Sequence, residues 1–370
     1  MKILHAVLSK GFYGTERYCA ELAGEQARSG HDVEILIVDA TSDCAREMRK
    51  VVAQANPVGA GTLRLTALPA WAPTALHRVF ARRVLRRFRP DIVHTHLNPA
   101  ARRVGRIAQR RGIPHVATLH LSYEPREVGD CDGLICIAQW QRATLDGFGG
   151  EVAVVHNWLP HSLEDAIIRT KQEQVHGLRQ SWAADHETFV FGSVGRLVAE
   201  KDMPLLVRAF RTAFPKGSEP ARLVIVGDGP QRAELDALAA GDRRIFIAGA
   251  QENVAPYYLA FDAFASAARF EPFGLSILEA MAAGCPLVLT RTQGPSEFVT
   301  DPRVLWAEAG DTATLAAHLA ATAAAGWQRP QYDLKHFSQA RAAAEIETLY
   351  RHVVALRGAN ERPALPKSGQ

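Results

Sequence analysis

Short apolar runs that alternate with helical segments constrain this chain more than any other feature. Residues 2–8 read as a buried strand, a loop with Gly11 and Gly14 follows, and a helix over about 15–28 stops at Gly30 before a strand at 33–38. Repetition of that unit predicts a parallel sheet, because parallel neighbours need a long crossover and a helix supplies it. The pattern starts again near residue 189. At 370 residues the chain exceeds what one core usually holds, so we expect two domains of the α/β class.

With 47% hydrophobic and 22% charged residues the composition suits a globular protein in water. The first apolar run is too short to span a bilayer, and we expect a cytoplasmic protein. Five cysteines without a C-x-x-C spacing argue for reduced thiols rather than disulfides or a zinc site. Charge is uneven: residues 1–160 hold 21 Lys and Arg against 15 Asp and Glu, within a total of +4. Six of those arginines lie in 73–90, where a helix would place Arg78, Arg82, Arg86 and Arg89 within about 80° of one another. This basic stripe reads as a solvated face or as a seat on an anionic membrane surface. It lacks interleaved exposed aromatics, so no nucleic-acid partner is expected.

The loop Lys10 to Arg17 does not fit G-x-G-x-x-G, which counts against a nicotinamide dehydrogenase. Residues 39–71 show only a helical patch at 46–52 and a short strand at 63–65. His94 and His96 close a strand at 91–96, but no Cys or carboxylate sits at matching spacing, so no metal is expected there. The next strand, 115–119, ends in His120, and strand carboxyl ends face the ligand crevice of an open parallel sheet. Asp130-Cys131-Asp132 has the D-x-D form that elsewhere holds a metal and a diphosphate; here it precedes Gly133 and a strand, which predicts a turn. After a strand at 151–155, His156-Asn157-Trp158-Leu159-Pro160 leads to a boundary near 159–165.

In the second half strands are expected at 189–194, 223–226, 245–247, 263–266 and 286–290, with helices between them. Gly294-Pro295-Ser296-Glu297 opens a short helix, 311–325 an Ala-rich one, and 338–356 the last; beyond Gly358 we expect a disordered tail. Within 269–284, Glu271 precedes a helix predicted from about Phe273 to Gly284, and Glu279 lies inside it. A helix start offers unbonded amides and partial positive charge, here at Phe273, Gly274 and Leu275, a seat for a pyrophosphate. Glu271 could then meet a sugar on one side and Glu279 a ribose on the other. Arg196 and Lys201, which follow a buried strand and Gly195, supply the matching cations.

Taken in order, Ser193 to Lys201, the Val-Ile-Val-Gly-Asp-Gly-Pro run ending at Pro230, and the two-glutamate stretch resemble glycosyltransferase family 4. The resemblance covers nearly the whole chain. It implies the GT-B fold, with two facing Rossmann-like domains and a cleft between them: 1–160 binding the acceptor, 161–337 the nucleotide sugar, a helix 338–357 crossing back to the first domain, and a tail 358–370. It further implies that Gly14 and Thr15 touch the phosphates or the acceptor and that His120 contacts the donor sugar, although Leu121 stands where the family commonly has Asp or Gly. Trp158 likewise replaces a family Gly at the crossover. Arg196, Lys201 and the amides at 273–275 would steady the diphosphate as it gains charge, so no metal or other cofactor is expected. Glu271 would hold the transferred sugar and Glu279 the ribose hydroxyls.

The implied function is a retaining transferase moving a sugar from a nucleotide-sugar donor to a glycolipid or lipopolysaccharide-type acceptor, peripheral on the membrane if the Arg stripe binds it. A sugar-nucleotide epimerase or phosphorylase on the same architecture, or a non-catalytic membrane-associated binding protein, remain the alternatives.

Overall fold

The computed structural model describes residues 1–55, 61–69, 71–215, 220–326 and 329–360. Backbone contacts divide the chain into two units, Met1–Trp158 with Phe337–Gln370, and Leu159–His336.

The first unit is built on strands β1 (Lys2–Val7), β2 (Asp32–Val38), β3 (Thr62–Leu68), β4 (Ile92–His96), β5 (His115–Leu119), β6 (Gly133–Cys136) and β7 (Glu151–Val154). They pair in the order β3-β2-β1-β4-β5-β6-β7, every pair parallel. Strands covered by helices on both faces are apolar throughout rather than alternating, which is why β1, β2 and β5 were legible. Residues 39–71 hold more order than expected, a helix Asp43–Ala55 and the seven-residue β3. As an edge strand β3 is only partly buried, so its apolar signal is diluted.

The last helix, Gln339–Asn360, belongs to this unit and packs on the helix Gly14–Arg28 and on β6 and β7. It runs through Gly358, against the expectation that order ends there; a single helical Gly costs about 1 kcal/mol and does not stop a helix that is anchored elsewhere. Residues 361–370 of the expected tail lie outside the described residues.

The second unit carries β8 (Phe189–Val194), β9 (Ala221–Val226), β10 (Ile245–Gly249), β11 (Ala263–Ser266), β12 (Leu287–Thr290) and β13 (Leu305–Ala307). Their order is β10-β9-β8-β11-β12-β13, again all parallel. Its core joins Phe189, Phe191, Phe210 and Phe214 to Leu235 and Leu315. The sequence reading had no place for β13, three residues long, or for the helices His161–Arg169 and Gln172–Ser181, which bury one residue and none. In each sheet the strand order reverses once, between β1 and β4 and between β8 and β11. At such a switch the loops leaving two neighbouring strands part in opposite directions and open a crevice.

Candidate active site

In the second unit the loops leaving β8 and β11 are tied together. Arg269 and Phe270 N–H both donate to the Glu200 carbonyl, at 2.8 and 3.3 Å. That places Glu271 against Lys201, and the two form an ion pair from Lys201 Nζ to Glu271 Oε2. Asp202, at φ 43, caps the helix Met203–Ala213 and pairs with Arg269. Lys201 thus takes its partner from the second loop, not from its neighbours Glu200 or Asp202. Arg196 is exposed two residues beyond β8.

The helix after Glu271 spans Leu275–Ala282, starting later than expected because Gly274 is its N-cap at φ 106, a left-handed conformation that glycine adopts freely. Its first internal bonds run from Ile277 and Leu278 N–H to the Gly274 carbonyl. The amides of Leu275 and Ser276 therefore precede the ladder. Glu279, buried one turn in, accepts a 2.9 Å hydrogen bond from Tyr258 Oη, whose hydroxyl also reaches the Ser276 carbonyl at 3.2 Å. Phe273 stacks on Phe298 at 4.8 Å, and Gly294 N–H donates to the Glu271 carbonyl. A side chain at Gly294 would strike the Phe273 backbone at 2.4 Å, so the loop at the start of the helix Pro295–Phe298 can lie flat on the motif only with glycine. Gly227 is constrained similarly, since a Cβ on it would fall 1.8 Å from the Gly195 carbonyl, whereas one on Gly195 would meet only Met203 and Lys201 at 3.7 and 3.9 Å.

In the first unit Gly14 and Thr15 open the helix that follows β1. Glu16, buried in that first turn, accepts from Tyr13 N–H at 2.8 Å and from the Ser9 hydroxyl, so a protein carboxylate already occupies part of this helix start. His120 follows β5 and is partly exposed, yet sunk deeply enough that burial lowers its pKa to about 3. Tyr18 meets its ring edge-on at 4.9 Å and packs on Trp158 at 4.4 Å, whose Nε1 donates to Glu21.

Behind His120 lie three buried histidines that sequence reading did not connect. His5 of β1 and His94 and His96 of β4 bring ligand atoms within 4.8 Å of one another, a trio able in principle to hold a metal. All six ring nitrogens, however, already take part in hydrogen bonds, within the group or to Gln26, Thr118, Tyr350 and His120. Only the register of β1 on β4 reveals the grouping, since His5 lies 89 residues before His94 and opposite it across the sheet. The D-x-D carboxylate Asp132 serves the fold: it accepts from His115 N–H and pairs with Arg357, at the amino end of β6 rather than at a strand's carboxyl end.

Arg78, Arg82 and Arg86 are exposed on the helix Thr74–Phe88, whereas Arg89 is its left-handed C-cap at φ 51. Arg87 instead pairs with buried Glu34.

Two all-parallel units, each with its chemistry-bearing loops at one strand-order reversal, define the GT-B class. HepE of Anabaena in complex with UDP-glucose has the same fold, with a TM-score of 0.72 over 97% of this chain and 100% of that one at 19% identity. The model for "Glycosyl transferase 4-like domain" matches residues 13–159, and that for "Glycosyl transferases group 1" matches 188–324. The chain belongs to this family of glycosyltransferases, similar to family 4. Among its relatives are the lipopolysaccharide core biosynthesis glycosyltransferase LpsD of Rhizobium meliloti, 27% identical over 86% of each chain, and a GDP-mannose-dependent phosphatidylinositol dimannoside mannosyltransferase of Mycobacterium tuberculosis, 25% identical over 75% of this chain and 76% of that protein.

Proposed function

We propose that the protein is a retaining glycosyltransferase that moves a sugar from a nucleotide-sugar donor to a lipopolysaccharide-type or glycolipid acceptor and needs no metal. The observation that carries this reading is Lys201 paired with Glu271 beside the Gly274-capped helix that also bears Glu279. The names of the two relatives, one acting on lipopolysaccharide core and one on a phosphatidylinositol glycolipid, support the acceptor class.

In this reading Lys201 exchanges its carboxylate for the donor diphosphate, and Arg196 and the amides of Leu275 and Ser276 join it. As the bond from the anomeric carbon to the phosphate oxygen breaks, charge grows on the departing nucleotide diphosphate, and groups already aimed there stabilise it. Glu271, released from Lys201, accepts hydrogen bonds from the transferred sugar. Glu279, oriented by Tyr258, accepts from the ribose hydroxyls. His120 contacts the sugar, and the Gly14–Thr15 loop the acceptor. The acceptor oxygen bonds to the anomeric carbon on the face the phosphate vacates and passes its proton to that phosphate, which retains configuration. A peripheral seat on an anionic membrane belongs to the same reading, supported by exposed Arg78, Arg82 and Arg86 with Trp71, Leu76 and Val79 also exposed.

A thermal-shift screen across UDP, GDP, ADP and CMP sugars should single out one base, since binding to the folded state raises Tm. Glu279→Ala should abolish that shift, and Lys201→Ala should lower kcat by about 100-fold, the scale for one lost oxyanion contact. EDTA should leave the rate unchanged. Transfer at wild-type rates in both variants would sink the assignment.

A further inference from the structure

Three imidazoles and one amide in the first unit form a line that ends at His120. Gln26 Oε1 lies 2.7 Å from His5 Nε2, His5 Nδ1 lies 3.0 Å from His96 Nε2, and His96 Nδ1 lies 3.2 Å from His120 Nε2. A neutral imidazole has one N–H and one lone pair, so a chain of them can run in one direction only. An amide oxygen cannot donate. His5 therefore donates from Nε2 and accepts at Nδ1, His96 donates from Nε2 and accepts at Nδ1, and His120 must donate from Nε2. Its Nδ1 is left as a bare lone pair.

The direction is anchored at the far end. Gln26 turns its NH2 toward Tyr350 Oη at 3.5 Å, and that hydroxyl is bonded to His94 Nδ1, while His94 Nε2 meets Thr118 Oγ1 at 2.7 Å. The Tyr350 hydroxyl then donates to His94 Nδ1, and His94 Nε2–H donates to Thr118 Oγ1. The line stays uncharged because burial lowers His5 to about 4, His120 to about 3 and His96 well below its ordinary value. Among the described residues nothing is hydrogen-bonded to His120 Nδ1, and His120 is half-buried at the end of β5.

We infer that His5 and His96, anchored by Gln26, are positioning residues that hold His120 as its Nε2–H tautomer, so that Nδ1 accepts a hydrogen bond from a hydroxyl of the sugar substrate. The inference rests on the glycosyltransferase reading for the identity of that hydroxyl, but not for the tautomer. It also narrows the substrate: the group facing His120 must be a donor. A free hydroxyl satisfies this, and an O-methyl or deoxy position does not. A flipped tautomer would set N–H against a site built for a donor.

The test is long-range 1H–15N NMR on the full chain labelled with 15N-histidine, without substrate. The expected spectrum has the His120 proton on Nε2. His5→Leu removes the acceptor for His96 and should release His120 into a mixture of tautomers, whereas His5→Asn, whose Oδ1 stands where Nδ1 was, should restore it. Donor hydrolysis with UDP-glucose and GDP-mannose as probes should show kcat/KM about 3–10-fold lower in His5→Leu than in His5→Asn, the scale of one hydrogen bond. A wild-type His120 protonated on Nδ1 overturns the inference, as does a His5→Leu protein with the tautomer unchanged. Should His5→Leu not fold, the wild-type spectrum still decides. If the wild type turns over neither probe, that counts against the glycosyltransfer reading alone, and the tautomer result stands by itself.

Discussion

Gly227 and Gly241 both have positive φ, 147° and 74°, but different surroundings. A Cβ on Gly227 would fall 1.8 Å from the Gly195 carbonyl, while one on Gly241 meets nothing within 4 Å. Gly227→Ala should therefore cost about 3 kcal/mol through strain plus a displaced Gly195 loop, and Gly241→Ala only about 1 kcal/mol from backbone strain alone. Urea unfolding of both variants checks the difference, and equal midpoints would refute the steric account. At this scale the sequence was informative where residues act through near neighbours: Glu271, Gly274 and Glu279 lie within one stretch, and their type and spacing suggest an anion seat. Tyr258, His5 and Gln26 gave no such signal. Each reaches the site across a sheet or between helices, and nothing local distinguishes them from ordinary core residues.

Among the elements, the helix Thr74–Phe88 lies within the expected stretch 73–90 because its periodicity is strong, with Ala81, Val84, Leu85 and Phe88 inward and the arginines outward. Its function is not set by that pattern. Arg87 spends its charge on Glu34, so Arg78, Arg82 and Arg86 are the exposed members that share one face. At about 1 kcal/mol per basic residue near an anionic surface, Arg78→Ser, Arg82→Ser and Arg86→Ser combined should weaken co-sedimentation with phosphatidylglycerol vesicles by about 100-fold at low salt. Unaltered binding would assign the stripe to solvent. The D-x-D segment was legible as a turn from the Gly133 and strand that follow it, and the structure sets it at the amino end of β6, away from the strand-end crevice.

For the molecule as a whole, the buried histidines of the first unit couple folding to pH. His5 and His115 are lowered to about 4 and His120 to about 3, each mainly by burial, and His94 and His96 well below the ordinary 6.5. The unfolded chain thus binds more protons than the folded one between these values and 6.5. Stability is fully present above pH 6.5 and is lost as pH falls toward 4, each group contributing at most about 1.4 kcal/mol per pH unit. Calorimetry should show a flat Tm above pH 7 and a steep fall below 6.5, shallower in His115→Asn. A Tm that holds to pH 4.5 would contradict the account.

The sequence by itself determined the alternation of strands and helices, hence two parallel sheets, and it marked the two-glutamate helix start, because both depend on neighbours a few residues apart. Only the tertiary structure decided that Lys201 faces Glu271, that Asp132 serves the fold, and that four histidines share one hydrogen-bonded core. Those outcomes depend on which strands lie side by side. Strand order is settled by the packing of whole units and leaves no trace in any single stretch of chain.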